Sequence, residues 1–221
     1  MEQVKKFNPI SFSVVVIAND HNPTILNPDF LRTNNIVPAD YAVKSTVTTP
    51  PFSTVEYENG ITISVEIDKL QVVNNISKGL DNAETAVKIA SEYIAILKHV
   101  NYKNVGINWV GYIEDSDPAI WIRNRYIKDG TWIQAPHQPI DIAIRFSYIV
   151  DANSICNLNI ASRKIKKDNN EIPVIDLNAN YHHNVQSNYP NADEAIKTIN
   201  NWRSRQQHFE NLISDILQVE V

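Results

Sequence analysis

The sequence predicts an α+β fold: about seven mostly antiparallel strands, in one large or two related sheets, with two long covering helices. Three observations carry this. Apolar residues alternate in several separate stretches, the pattern of half-buried strands. Two other stretches repeat at helical spacing behind capping pairs. An Asn59-Gly60 step sits between two of the alternating runs and marks a hairpin.

The first strand, about Ser11 to Ala18, is apolar on both faces, which suits a central position. A long loop follows, "NDHNPTILNPDFLRTNNIVP", residues 19–38. Asn22-Pro23 and Asn27-Pro28 are turn formers, and Asn27 can cap a short helix opening at Pro28. Phe30, Leu31, Ile36 and Val37 would then pack that loop down. Pro50-Pro51 punctuates the chain before the hairpin. A three-residue turn, Glu58-Asn59-Gly60, keeps Val55 opposite Ile63 and Tyr57 opposite Ile61; a two-residue turn would put Glu56 and Glu58 on the apolar face. The apolar phase then shifts near Asp68-Lys69, read as a bulge.

Helix A is expected over about Asn82 to Val100, with Asp81 and Glu84 as its capping pair. The strand "NVGINWVGYI" comes next, and then a long connection with a short helix near Ala119 to Ile127. Alternation places Ile140, Ile142, Ile144, Phe146 and Tyr148 inward and Asp141, Arg145 and Ser147 outward. Two strands, about Ser154 to Lys164 and Ile172 to Tyr181, precede a final helix from about Ala192 to Leu217, capped by Asn191 and Glu194.

"NAETAVK" at 82–88 resembles "NADEAIK" at 191–197, with Asp68 and Asp176 at nearly equal distances upstream. The chain thus reads as one domain, 1–221, with two pseudo-repeated strand-strand-strand-helix halves, 11–100 and 104–219. Duplication and chance likeness between two capped helices both account for the match.

The order of elements also resembles a sporadically distributed family of uncharacterised bacterial proteins of similar size. The shared features are the opening apolar strand, "DKLQVVN" at 68–74 ending a hairpin, a helix, "IDLN" at 175–178 and a long last helix. The resemblance implies an α+β fold and no activity, so no functional residue is taken from it.

Composition excludes several chemistries. The 221 residues carry a formal net charge of −5, which gives no basic field for nucleic acid. Cys156 is the sole cysteine, so internal disulfides and cysteine-rich zinc sites are out. Its alternation with Leu158 and Ile160 reads as a buried thiol. Five isolated glycines leave no phosphate-cradling loop. No apolar run is long enough to span a membrane and the first ten residues lack a signal-peptide core, so the expected location is cytoplasmic.

Two groups of candidate site residues remain. Asp20, His21, Asn22, Asn27 and Asp29 offer carboxylate, amide and imidazole donors that could bind a ligand or a divalent cation; the same residues also make ordinary turns. "WIRNRYIKDGTW" brings Trp121, Arg123, Arg125, Tyr126 and Trp132 together, a composition typical of protein interfaces and also able to stack on bases. His182 and His183 point to opposite faces of a strand and would not chelate one metal. Asp141, Arg145 and Asp176 could gather on the outward sheet face. No catalytic residue, metal or cofactor is expected.

The leading expectation is a non-enzymatic interaction module that binds an unidentified protein partner or itself as a homo-oligomer. The alternatives are an enzyme or small-ligand binder using the Asp20–Asp29 loop, and, more weakly, a single-stranded nucleic-acid binder through Trp121–Trp132.

Overall fold

A computed structural model describes residues 5–77, 79–133, 136, 139–185 and 188–220, and of 81 and 82 only the backbone. Among these residues, nine strands form one sheet in the order β2-β3-β4-β5-β1-β6-β9-β8-β7, every neighbouring pair antiparallel. The strands are β1 (Asn8–Asn19), β2 (Val43–Thr48), β3 (Phe52–Tyr57), β4 (Ile61–Glu66), β5 (Lys69–Asn75), β6 (Asn101–Glu114), β7 (Ala143–Asp151), β8 (Ser154–Lys167) and β9 (Asn170–Asn184). The helices are short: α1 (Pro28–Thr33), α2 (Glu84–Ile96), α3 (Pro118–Tyr126), α4 (Ala192–Asn200) and α5 (Trp202–Leu212).

This corrects the expected seven strands and two long helices. β2 lies in a stretch to which the sequence reading assigns no element, because Lys, Ser and Thr leave it no buried face. The phase shift at Asp68-Lys69 is a turn between two strands rather than a bulge in one: Val65 faces Leu70 across it. The final helix breaks at Asn201, whose amide bonds back to Lys197 and Thr198 and whose carbonyl accepts from Ser204. Neither half is strand-strand-strand-helix. Each opens with a strand and a proline-started short helix, then meanders through four strands (β2–β5) or three (β7–β9) before its helix. The opening strands β1 and β6 pair at the centre of the sheet.

Several local expectations hold. Asn27 Oδ1 accepts from the Phe30 amide at 2.9 Å and caps α1 behind Pro28. Leu31, Ile36 and Val37 are buried, and Phe30 meets Tyr93 edge-on. Val55 faces Ile63, with Gly60 at φ +87° closing the turn, a backbone conformation that costs glycine nothing. Cys156 is buried, and desolvation raises its thiol pKa to about 11 against a hydrogen bond with Tyr181. Asp81's side chain lies outside the described residues, so its capping role is not assigned. Asn191 brackets the Tyr102 backbone instead of capping α4: its Oδ1 accepts at 3.0 Å and its Nδ2 donates at 2.7 Å.

The helices pack on one face of the sheet, over a core centred on Trp109. That indole stacks on Phe209 at 5.4 Å and meets Phe12 and Tyr181 edge-on. Gly111 lets the Phe7 ring lie directly on β6, where a Cβ would collide with it. The other face carries polar residues at matching registers, including Ser13, Asn108, Asn180 and Asn157 across four strands. Asn180 donates to Asn108, which donates to Ser13. With Arg145, these amides line a shallow hollow of about 460 Å³.

Candidate functional site

The predicted ligand loop separates in space. Asp20, at φ 61°, and Asp29 are exposed, while His21 turns inward and is only 4% exposed, beside the Tyr93 and Tyr102 rings. Burial lowers the His21 pKa. Asn22 caps the 3-10 turn Pro23–Ile25 and Asn27 caps α1. No hydrogen bond or ion pair joins Asp20, His21 and Asp29 among the described residues. Nor, among those residues, do three or more His, Cys, Asp or Glu side chains form a metal-binding group.

The predicted partner segment is partly assembled on α3. Asp117 Oδ1 accepts from the Ile120 amide at 3.0 Å, and Pro118 takes the first turn; Ile122 is buried, and this roots the helix under β8 and β9. Trp121 and Tyr126 then meet edge-on at 6.1 Å, and Arg125 lies 4.5 Å over the Trp121 ring. Arg125 also donates to Gln218, and Tyr126 to the Ile216 carbonyl at 2.9 Å. Arg123 bonds only its neighbour Asn124 among the described residues. Trp132 sits in the separate turn Thr131–Ile133, 40% exposed.

Two residues read from the sequence as core complete this group. Phe146 of β7 meets Tyr126 edge-on at 5.6 Å, and Tyr148 follows at 6.2 Å. A chain of rings, Trp121-Tyr126-Phe146-Tyr148, thus runs along the margin where the sheet ends. Desolvation raises the pKa of both tyrosines. All four rings are only half-buried although they pack on the core. The helix layer stops short of the sheet's edge here.

β7 itself is the last strand, and no described residue pairs with its outer side. It is nine residues long, with Ile144, Phe146, Tyr148 and Val150 turned toward the core side and Ile149 85% exposed on the other. Arg145 is its one cation and has no ion pair or hydrogen bond among the described residues. Asp176, expected beside it, pairs instead with Arg163 at 3.2 Å, and Asp141 accepts from Ser162.

The far end of β7 is pinned. Asp151 accepts from Arg205 of α5 at 2.5 Å and from the Asn153 amide at 2.9 Å. Desolvation opposes its ionisation, but the Ser154 hydroxyl, the Asn153 amide and the Arg205 charge hold its carboxyl down at about 2. Asp151, Asn153, Arg205 and His183 border a cleft of about 840 Å³ against α4. Burial lowers the His183 pKa, with Nδ1 enclosed and unbonded among the described residues. His182 is on the opposite face near Asn104 and Asn184, as strand alternation requires.

No model of a known protein family matches this chain, and no curated protein matches it. Among the described residues no helix is long and apolar enough to cross a membrane.

Proposed function

We propose that this chain is a protein-interaction module whose contact surface is the β7 margin together with the α3 ring chain. One observation carries the reading: side chains that belong to the core layer, Phe146 and Tyr148, are left partly uncovered beside a strand edge that nothing described pairs with. An open strand edge offers a row of free amides and carbonyls, the group that strand addition uses. Beside it stand Trp, Tyr, Phe and Arg, the residues that concentrate in interface centres. We place the protein in the cytoplasm, where its lone thiol remains reduced.

Replacing Phe146 with a photoreactive phenylalanine tests this in native extract. Illumination is expected to yield discrete protein adducts, and the same replacement at Val47 of β2 to yield none. Equal labelling at both edges would remove the support for the β7 margin.

A further inference from the structure

Resting on that reading, we infer that the occupant of the margin is a second copy of this chain, joined β7 to β7 antiparallel about a twofold axis through Ser147.

An antiparallel pair of identical strands is self-complementary, and every register of it is symmetric about one residue. Ser147 is the midpoint of β7, Ala143–Asp151, so only a ladder centred there pairs all nine residues. In that register the face turned toward the core sets Phe146 opposite Tyr148 of the second copy, and Ile144 opposite Val150. Each such match occurs twice. Aromatic and β-branched cross-strand pairs of this kind are the favourable ones. On the other face Ser147 meets Ser147, and Arg145 meets Ile149, which is 85% exposed in the single chain. The two Arg145 side chains stand four positions apart along the ladder. A ladder centred on Arg145 would instead set them face to face.

The area sets the expected strength. The β7 edge is one sheet layer, about 30 Å long and about 10 Å deep, with the half-buried rings of the ring chain set back beside it. A contact of roughly 300 Å² per copy from the strands alone, widened by the adjoining rings, lies below the size of permanent interfaces and predicts a reversible, concentration-dependent dimer. The polar hollow does not compete for a second copy: two copies of one concave face would meet hollow against hollow.

The experiment is cysteine capture with the full chain carrying Ser147→Cys. Paired residues at the axis would hold their Cα atoms about 4.5–5.5 Å apart, within reach of a disulfide. Cys156 is buried and its thiol pKa is raised, so the new thiol is the reactive one. Ser13→Cys on the open sheet face serves as control, and wild-type chain is run in parallel by sedimentation. Mild oxidation of the purified Ser147→Cys chain is expected to give a homodimer disulfide, at least tenfold more than Ser13→Cys, with concentration-dependent dimer in the wild type. A homodimer yield equal to the control and a wild-type monomer up to about 200 µM overturns the second copy. Repeating the oxidation in native extract separates the two claims. A mixed disulfide there with a different protein overturns the second copy alone and leaves the margin as the contact surface. No adduct in either setting overturns both.

Discussion

The two edges of the sheet solve the same problem differently. β2, Val43–Thr48, is six residues long, carries Lys44, has a register shift near its start, and runs into Pro50-Pro51. Charge, shortness, irregularity and proline are the devices that discourage a strand edge from pairing. β7 has fewer of them: nine residues, Ala-Ile-Arg-Phe-Ser-Tyr-Ile-Val-Asp, with no proline, Arg145 as its single cation and a bulge only at the Asp151 end. The side chains of β2 lie mostly in solvent over no core, whereas Ile144, Phe146, Tyr148 and Val150 of β7 pack on an apolar layer shared with Tyr126 and Trp121. This difference is the basis of the proposal that the β7 edge is the one kept for a partner.

The contrast breaks most completely at Phe146. Phe146→Asp puts a carboxylate into the paired layer and is expected to abolish association, a shift of at least 100-fold, while Val47→Asp on β2 changes nothing; sedimentation of both variants checks this. Because Phe146 also packs on Tyr126, a thermal melt must show the variant folded. Ser147→Lys, which faces solvent, is the companion with the smaller folding burden and should weaken the dimer by about tenfold through like charges at the axis. Trp121→Ala comes next. It removes the end of the ring chain and the seat of Arg125, at roughly 1–2 kcal/mol or about tenfold in affinity.

The smallest effect concerns the pinned end of β7. Asp151 has its pKa lowered from 3.8 to about 2, so the stability it contributes is present above pH 4 and fades as pH falls toward 2. Its carboxyl is partly exposed, so that contribution is modest. Asp151→Asn should flatten this portion of the acid melt, and a curve unchanged between wild type and variant would show that Arg205 does not hold the strand end.

Much of the local structure was legible in the residues. Asn27-Pro28 forced a capped helix, and the hydrophobic phase around Gly60 chose the three-residue turn. The rest depends on pairing between distant strands. Ile144, Phe146 and Tyr148 alternate as they would in a central strand, because alternation reports which face a side chain takes and not whether the strand has a second neighbour. Composition singled out Trp121, Arg125 and Tyr126, which the fold brings together. It also included Arg123 and Trp132, which stand apart, and it could not join Phe146 and Tyr148 to Tyr126 across the nineteen positions between Tyr126 and Phe146. In the opening loop, the pattern of Asp20, His21 and Asp29 resembled a donor set. Backbone direction decides otherwise: the core takes His21, and solvent takes the two carboxylates.

Amide hydrogen exchange at the two edges tests the central claim most directly. With the wild-type chain at about 5 and about 200 µM, the outward amides of β7 should slow at the higher concentration while those of β2 exchange fast at both. Equal exchange at the two edges, independent of concentration, would contradict the claim that β7 is the edge this protein pairs with its own copy.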